Sequence, residues 1–396
     1  MIYVDVTGAC LLPLQSGIPR TTRSVYRLLG NHFPGEITPI FWQPFRGGYT
    51  RLSSRARILL QNPFTAPFRS KRAPRDSTLP LLWASFSDLF GAWPPVMPLP
   101  QQIRPGDTLL LTSIFPDNRL EYLERAVSSP GLKIAIFHDA IPLRDPNVMS
   151  WEKKRHLKTL HLFSKLDAVI AVSRAAADDL SAQWREHGIT ARTSVFVIPW
   201  PVPFTTPRPD FSEPPWTKKR ILYVSRLKQV KNHAMLFAAC MKLWDDGIDF
   251  ELELIGCEDE ARESRAILRA IAQLQRAGKP VSWRGLVTEN ELHQAYQCAT
   301  FTVFPSLAEG FGLPIIESFW HGRAVVCSDR DPMGELARDG GCLTTDVQNL
   351  DRLATAMRRL LQDQTECLVL AKEAYARPLR TWSDYWEELK LVLENR

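Results

Sequence analysis

Several patterns that would place a protein in a class at once are missing from this sequence. No apolar run approaches the roughly 18–20 residues that a membrane-spanning helix requires. The seven cysteines are scattered, and none falls in a Cys-x-x-Cys pair, which argues against a zinc site and against a disulfide framework. The first predicted strand and turn lack Gly-x-Gly-x-x-Gly, so a nicotinamide-dependent oxidoreductase is a weak candidate.

The first residues also lack a targeting pattern. Residues 2–6 alternate as a strand does, and no basic leader precedes them, so we expect no cleavable signal. Scattered cysteines without partners fit a reducing compartment. Together these features predict a cytoplasmic protein, and a peripheral position at the cytoplasmic face of the inner membrane is the alternative.

What the chain does have is an ordinary globular composition, with 396 residues of which 45% are hydrophobic and 23% are charged. This length suggests two domains of about 200 residues each. The net charge of +6 is unevenly distributed. Residues 1–216 hold 25 basic and 17 acidic residues, or +8, and the remainder holds 24 and 26, or −2.

Residues 46–75 form a basic segment, with eight cations, no acidic residue and interleaved apolar side chains at residues 58–60, Phe64 and Phe68. Such a mixture suits an anionic membrane surface, where each basic residue near the lipid contributes about 1 kcal/mol. A solvated insertion explains the same residues equally well, and no motif supports nucleic acid as a partner. The eight cations are Arg46, Arg51, Arg55, Arg57, Arg69, Lys71, Arg72 and Arg75.

Apolar strand-like runs alternate with helix-like periods along most of the chain, which predicts parallel sheets covered by helices on both faces. We expect residues 1–200 to form one Rossmann-like domain with an irregular insertion at residues 34–105, in which residues 37–42 read as a strand. Seven prolines lie between residues 199 and 215, which predicts a linker at residues 201–217.

The alternation then starts again in the second half. We expect residues 218–380 to form a second Rossmann-like domain and residues 381–396 to form a helix that could pack back on the first domain. The predicted fold class is therefore α/β, with two doubly wound domains facing across a cleft. Ligands of such sheets bind beyond the carboxyl ends of the strands.

The most informative run is Glu-Gly-Phe-Gly-Leu-Pro-Ile-Ile-Glu at residues 309–317. It follows a strand-like stretch at residues 300–304 and leads into a helix-like stretch at residues 315–320. Gly310 and Gly312 let the backbone approach a ligand without a Cβ in the way. A helix start offers free N–H groups and a partial positive charge, which favours a phosphate.

Two carboxylates, Glu309 and Glu317, flank this anion site. They would repel a phosphate unless they face hydroxyl groups, so a phosphate that carries a sugar satisfies both requirements. A tight turn with Glu309 as a helix-start carboxylate explains the same loop without any ligand, because short glycine motifs often occur by chance.

A second cluster, at residues 225–232, follows the predicted strand at residues 220–224. Arg226 and Lys231 in this cluster are placed to neutralise a diphosphate, the arginine through its planar fork and the lysine as a point charge. Basic residues in such a loop are otherwise ordinary surface charges.

With both clusters in view, the chain resembles the retaining family-4 glycosyltransferases of the GT-B fold, and among them bacterial mannosyl- and rhamnosyltransferases of surface polysaccharides. The run at residues 309–317 is similar to the hallmark E-G-F-G-L-P-x-x-E of that family. The resemblance implies that the first domain holds the acceptor and the second the donor. It also implies donor-site roles for Arg226, Lys231, Gly285, Leu286, Glu309, Gly310, Phe311, Gly312, Leu313 and Glu317.

By this resemblance, Arg226, Lys231 and the backbone of residues 310–313 would bind the diphosphate of the donor. Glu317 would bind the ribose hydroxyls, and Glu309 would face the donor sugar near its reacting carbon. The backbone of Gly285 and Leu286 would read the base.

Two sites in the first domain complete the predicted set. His138 ends a strand, where it can bind a donor-sugar hydroxyl or orient the acceptor; capping the strand end or pairing with Asp139 is the alternative. Residues 16–20 resemble the loop that family members press against donor and acceptor, although only Gly17 remains of the usual paired glycines. We count His138 with Glu309, Arg226 and Lys231 as candidate catalytic residues.

The chain departs from the family pattern just after Glu317. Residues 318–321 are Ser-Phe-Trp-His instead of small residues, and residues 322–324 are Gly-Arg-Ala instead of Gly-x-Pro, which predicts an altered packing layer behind the motif. Residues 329–331 read Asp-Arg-Asp, but we reject a metal site there. The resemblance implies that positive side chains and a helix start replace a metal, so we expect neither a metal nor another cofactor.

The resulting expectation is a retaining, metal-independent transfer of a hexose to a hydroxyl of a lipid-linked or oligosaccharide acceptor. Mannose from GDP-mannose is the favoured donor, with rhamnose and glucose donors close behind. The alternative is a non-catalytic nucleotide-sugar-binding or scaffolding protein of a glycan assembly complex. Such a protein would keep the donor site and lose the reacting centre, whereas all four candidate catalytic residues are present here.

Overall fold

The computed structural model describes residues 1–11, 17–52, 57, 60, 95–114, 118–146, 148–204, 206–258 and 262–394. The chain divides into two compact units. The described part of the first unit lies within residues 1–64, 78–201 and 380–396, and the second unit spans residues 202–379. The C-terminal segment therefore belongs to the same unit as the N-terminus.

The first unit is built on a seven-stranded sheet in the order β3-β2-β1-β4-β5-β6-β7. All neighbouring strands are parallel except β2 and β3, which pair antiparallel as a hairpin. β1, β4 and β6 are buried along their whole length, as expected for strands covered on both faces. The strands are β1 Ile2–Asp5, β2 Ile37–Gln43, β3 Gly48–Arg51, β4 Thr108–Leu111, β5 Leu132–Phe137, β6 Ala168–Ala171 and β7 Ser194–Val197.

Helices connect and cover these strands. The last helix of the chain packs in this unit, where Trp386 stacks on His32 with ring centroids 3.8 Å apart and Tyr385 stacks on Trp200 at 5.2 Å. The described helices of the first unit are Thr7–Leu11, Gly17–His32, Leu99–Gln102, Leu120–Val127, Ile141–Arg144, Ser150–Phe163, Arg174–Glu186 and Trp382–Glu394.

The second unit is built on a six-stranded, fully parallel sheet in the order β10-β9-β8-β11-β12-β13. The chain moves outward from β8 through β9 to β10, then returns to the other side of β8 with β11. Ligands of doubly wound sheets bind beyond the carboxyl ends of the two strands at such a reversal. The strands are β8 Arg220–Val224, β9 Glu251–Ile255, β10 Val281–Trp283, β11 Phe301–Phe304, β12 Val325–Ser328 and β13 Cys342–Thr345.

The helices of the second unit begin at recognisable caps. Thr288 and Glu291 form a reciprocal capping box at the start of Glu289–Cys298, and Asn349 accepts a bond from the Arg352 N–H at the start of Leu350–Gln362, which satisfies otherwise unpaired N–H groups. The described helices are the 3₁₀ turn Gln229–Lys231 and the helices His233–Asp245, Arg262–Arg276, Glu289–Cys298, Leu313–Trp320, Met333–Ala337, Leu350–Gln362 and Gln364–Ala376.

The prediction of two doubly wound α/β domains is confirmed. The strand expected at residues 37–42 is also confirmed, as β2. The sequence also predicts a helix at residues 21–29, and the observed helix extends further in both directions, from Gly17 to His32.

Much of the basic segment at residues 46–75 lies outside the described residues. Arg46, Arg51 and Arg57 are described, and each is exposed. Arg55, Arg69, Lys71, Arg72 and Arg75 lie outside. In the part of the chain that the structure describes, no helix is long and apolar enough to cross a membrane.

Candidate active site

The two sequence clusters of the second unit meet where its strand order reverses. Residues 225–232 follow β8 and residues 305–312 follow β11, and these two strands are neighbours in the sheet. The loops are joined directly, because the Leu307 N–H donates to the Val230 carbonyl at 2.9 Å. The structure therefore brings the basic cluster and the glycine loop together at the position expected for a ligand.

The most direct contact between the clusters is an ion pair. Lys231 Nζ lies 2.5 Å from Glu309 Oε1, and the Ser306 hydroxyl donates to the same oxygen, also at 2.5 Å. The side chains of Lys231 and Glu309 are 19% and 12% exposed, so water screens the pair only partly. Two donors thus fix the Glu309 carboxylate beside the ammonium group.

Hydrogen bonds at the backbone of Lys231 and its neighbour fix the position of this lysine. Its carbonyl accepts a bond from the Tyr223 hydroxyl at 2.5 Å, and burial raises the pKa of Tyr223, so the phenol keeps its proton. The next residue, Asn232, has φ 60° and ψ 35°, a left-handed conformation that asparagine tolerates better than most residues. Asn232 Nδ2 donates to the Val347 carbonyl at 2.9 Å, which fixes this turn.

The glycine loop ends in a helix start, as the sequence predicts. Gly312 has φ 114° and is the N-cap of the helix Leu313–Trp320, with Pro314 in the first turn. A Cβ at Gly312 would approach the Leu336 side chain to 3.0 Å, so both conformation and space favour glycine there. Phe311 is buried with 8% exposure.

The second carboxylate lies on this helix. Glu317 is only 5% exposed, and its Oε2 accepts a bond from the Tyr296 hydroxyl at 2.7 Å. A carboxyl group at this depth needs hydrogen-bond partners within the protein, and Tyr296 supplies one. Glu317 is therefore a buried hydrogen-bond acceptor with a fixed orientation, and not a solvated surface charge.

Gly285 and Leu286, the predicted base-reading residues, follow β10. Gly285 has φ 70°, and its carbonyl accepts a bond from the Gly256 N–H at 2.9 Å. Gly256, at the end of β9, has φ 146°, and a Cβ on it would lie 1.8 Å from the Ser225 carbonyl oxygen. The backbone thus links Gly285 through Gly256 to the end of β8, which Arg226 follows. The Arg226 side chain is half-buried.

His138 belongs to the first unit, where it follows β5. Its Nε2 lies 2.9 Å from the Thr112 carbonyl, so this nitrogen carries the proton and donates. Burial lowers the pKa of His138 to about 4, which keeps the ring neutral at neutral pH and leaves Nδ1 as an acceptor. The Asp139 carboxylate instead accepts from the Ile141 N–H at 3.0 Å, at the start of a short helix.

Gly17, also in the first unit, is the first residue of the helix Gly17–His32. A Cβ there would meet no described atom within 4 Å. Residues 12–16, which include the rest of the predicted loop, lie outside the described residues. The part of the chain that is described therefore gives no steric reason for a glycine at this position.

The rejected Asp-Arg-Asp segment follows β12. Asp331 Oδ2 lies 3.6 Å from Arg338 Nη2. Among the residues that the structure describes, no group of three or more histidine, cysteine, aspartate or glutamate side chains is arranged to hold a metal ion.

Three residues that contact or position the predicted site residues were not predicted from the sequence: Ser306, Tyr296 and Gly256. Ser306 and Gly256 each follow a buried strand closely, and a polar or glycine residue at the carboxyl end of a parallel strand was the available signal. Tyr296 gave no signal, because its contact with Glu317 joins residues 21 positions apart on different helices.

Residues 218–363 match the family model described as Glycosyl transferases group 1. The second unit carries a group 1 glycosyltransferase domain. The glycine loop, the basic cluster and Glu317 all lie within the matched residues.

Curated relatives agree with this assignment. The serotype-specific mannosyltransferase WbdA of Escherichia coli is 22% identical over 359 residues, which cover 85% of this chain but only 39% of WbdA. The O-antigen chain mannosyltransferase B of Escherichia coli is 35% identical over 85 residues, or 22% of each chain. This chain therefore spans well under half the length of WbdA.

Solved structures agree on the fold. The sucrose-phosphate synthase of Thermosynechococcus elongatus superposes with a TM-score of 0.63 over 99% of this chain and 96% of that chain, at 16% identity. The fold is the GT-B type, and the predicted resemblance to family-4 mannosyltransferase-like proteins is confirmed.

Proposed function

We propose that this chain is a retaining, metal-independent glycosyltransferase that moves a hexose from a nucleotide-diphosphate sugar to a hydroxyl of a lipid-linked or glycan acceptor. The observation that carries this proposal is the meeting of Lys231, Glu309 and the helix start at Gly312, within a group 1 domain and at the strand reversal of its sheet. A diphosphate, a sugar and a ribose find matching groups there.

The leaving group is the first requirement of the reaction. A departing nucleoside diphosphate gains negative charge, and groups fixed in advance stabilise that charge without reorganising. Lys231 has three N–H donors, of which Glu309 occupies one, Arg226 offers a planar fork, and the N-terminus of the helix Leu313–Trp320 adds free N–H groups. These charges do the work for which other glycosyltransferases use a divalent metal.

The carboxylates serve the hydroxyl groups of the donor. Glu309, fixed by Lys231 and Ser306, accepts from a donor-sugar hydroxyl near the reacting carbon. Glu317, fixed by Tyr296, accepts from the ribose. Each carboxylate is oriented by hydrogen-bond donors of the protein. Binding of the nucleotide therefore does not carry the entropy cost of ordering these side chains.

Retention follows from a front-side exchange. The bond between the anomeric carbon and the phosphate oxygen breaks while the acceptor oxygen bonds to that carbon on the same face. The departing phosphate takes the proton of the acceptor hydroxyl. His138, neutral and with Nδ1 as an acceptor, binds a hydroxyl of donor or acceptor and so orients it.

The names of the relatives support the choice of substrate. Both Escherichia coli proteins are mannosyltransferases, and one is named for O-antigen chains. We therefore favour mannose from GDP-mannose and a role in surface-polysaccharide synthesis at the cytoplasmic face of the inner membrane. Peripheral contact of residues 46–75 with anionic lipid is part of this proposal, and Arg46, Arg51 and Arg57 are exposed as it requires.

Thermal shift with a panel of nucleotide sugars tests the donor site, and release of free nucleoside diphosphate tests the chemistry. A donor that binds only the folded protein raises its melting temperature by mass action. We expect GDP-mannose to do so and to be hydrolysed slowly without acceptor. Lys231→Ala should lose both effects, whereas Lys372→Ala, an exposed lysine of the same unit, should keep them.

Two results would contradict the proposal. If no nucleotide sugar raised the melting temperature, the proposed donor site would be wrong. Binding without release of nucleoside diphosphate, even with lipid-linked acceptors present, would favour the alternative of a non-catalytic nucleotide-sugar-binding or scaffolding protein.

A further inference from the structure

Behind Glu317 lies a layer of aromatic and histidine side chains that the reaction does not use directly. The helix Glu289–Cys298 places Tyr296, which is fully buried, against the helix Leu313–Trp320. The Tyr296 hydroxyl donates to Glu317 Oε2 at 2.7 Å. This is a charge-assisted bond in a buried place, where such bonds are strongest.

The Tyr296 ring is itself held in position. It stacks on the His321 ring with centroids 4.7 Å apart and planes 8° from parallel. His321 Nδ1 lies 2.7 Å from the backbone carbonyl of Glu317 and therefore donates to it. The stacked pair thus contacts Glu317 twice, at its carboxylate through Tyr296 and at its backbone through His321.

A further histidine completes the layer. Since His321 Nδ1 donates, its Nε2 is the acceptor in the neutral ring, and His293 Nδ1 lies 2.8 Å from it. His293 is on the same helix as Tyr296. Two bonds and one ring stack therefore connect this helix with the helix that carries Glu317, which fixes the position of the tyrosine hydroxyl.

The layer coincides with the departure from the family pattern at residues 318–321, where His321 stands in place of a small residue. A small side chain at that position could neither stack on Tyr296 nor accept from His293. The stacking partner of Tyr296 and the acceptor for His293 therefore come from the segment in which the sequence departs from the family pattern that it resembles.

We propose that Tyr296 is a positioning residue that aims the Glu317 carboxylate at the ribose hydroxyls of the donor. This inference rests on the proposed function, because it takes Glu317 as the ribose-binding group. Tyr296 does not touch the nucleotide in this account. It sets the direction of a carboxylate that does, and so contributes to the preference for nucleotides with intact ribose.

Tyr296→Phe is the variant that tests this, since it keeps the ring that stacks on His321 and removes only the hydroxyl. The dissociation constants of GDP, UDP and ADP, and of their 2′,3′-dideoxy counterparts, are measured by calorimetry on the whole protein. We expect the wild type to bind the matching ribonucleotide about tenfold more tightly than its dideoxy counterpart, the worth of one charge-assisted hydrogen bond. In Tyr296→Phe most of that preference should disappear, with dideoxynucleotide binding unchanged.

A matched control and a double variant separate positioning from stability. Tyr375→Phe removes a hydroxyl that donates to the Pro209 carbonyl in the same unit, and it should leave both constants unchanged. In a Glu317→Gln background, Tyr296→Phe should cause no additional loss, because the carboxylate it orients is gone. In turnover, Tyr296→Phe should raise the donor KM and leave kcat nearly unchanged.

The outcomes distinguish this inference from the proposed function. If Tyr296→Phe weakens both kinds of nucleotide equally, or neither, while the wild type discriminates between them, Tyr296 is only structural and the proposed function stands. If the wild type binds none of the three nucleotides, the proposed function is wrong and the role of Tyr296 falls with it.

Discussion

At the scale of single residues, the candidate site contains an oxygen atom that accepts two hydrogen bonds at once. Glu309 Oε1 accepts from both Lys231 and Ser306. In the proposed function, the Lys231 ammonium orients the Glu309 carboxylate that would face the donor sugar, and its other N–H donors would bind the diphosphate. The sequence predicts Lys231 and Glu309 as neighbours of one ligand, and the fold adds that the two side chains form an ion pair.

Gly256 gives a prediction at the same scale. A Cβ there would lie 1.8 Å from the Ser225 carbonyl, and backbone atoms cannot move aside without separating β8 from β9. Gly256→Ala should therefore lower the free energy of unfolding by at least about 3 kcal/mol, as measured by urea denaturation. It should also weaken nucleotide binding, because it displaces the backbone next to Arg226.

Gly278→Ala is the matched control for that substitution. Gly278 also has a positive φ, of 71°, but a Cβ on it meets no described atom within 4 Å. Only the conformational cost of about 1 kcal/mol applies there. Equal losses for the two variants would show that the close approach at Gly256 does not matter.

At the scale of elements, the helix Glu289–Cys298 is fixed at its C-terminal end by a buried arginine. Arg323 is fully buried and donates to the carbonyls of Tyr296 and Gln297 and to Ser212. A cation at the C-terminus of a helix is stabilised by the helix dipole and by the otherwise unpaired carbonyls. Burial lowers the pKa of Arg323 to about 10, so it is still charged at neutral pH.

Removing this side chain should be costly. Arg323→Met should lower the free energy of unfolding by about 2–4 kcal/mol, since it leaves several buried carbonyls without a donor. It should also weaken nucleotide binding, because the helix end that carries Tyr296 loses its anchor. Chemical denaturation checks the first effect, and the exposed Arg276, changed to Met, should give almost no change.

The order of elements was the part of the fold that the sequence predicted best. The strands predicted at residues 220–224 and 300–304 match β8 and β11 within a residue, because their patterns are local. One or two strands are predicted within residues 34–105, but the position of the hairpin strand β3 is not, and the short helix Ile141–Arg144 is not predicted. The stability of these two elements comes from tertiary contacts, which no local pattern of the sequence shows.

The candidate site also has a part that the sequence predicts and a part that only the fold shows. Residues 309–317 were recognised because their chemistry is contiguous in the chain. The layer behind Glu317 was foreseen only as an unspecified change of packing, since the contacts of Tyr296 and His293 join different helices. Nothing in the sequence around Tyr296 indicates which carboxylate its hydroxyl will meet.

At the scale of the whole molecule, four buried histidines make stability depend on pH. Burial is the main cause that lowers the pKa to about 4 for His138, His156 and His233 and to about 3 for His321. Unfolded histidine titrates near 6.5, so between these values the unfolded chain binds more protons than the folded one. Stability should therefore be complete above about pH 7 and fall as the pH drops toward 4.

By these pKa values, each histidine contributes on the order of 3–5 kcal/mol to this loss when the pH range is fully crossed. Urea midpoints at pH 7.5 and pH 5.0 measure it. His156→Asn, which keeps a donor near the Asp139 backbone, should show a smaller difference between the two pH values than the wild type. The same change at the exposed His187 should not, and a wild type equally stable at both values would contradict this account.

In the proposed function, the strand reversal of the second unit binds the diphosphate of a sugar nucleotide. A crystal structure of the protein with GDP or UDP tests it most directly. We predict diphosphate oxygens at hydrogen-bond distance, about 3 Å, from Lys231 Nζ and the Arg226 guanidinium, with the ribose on Glu317. A nucleotide bound elsewhere, with these three side chains in contact only with protein and water, would contradict the account.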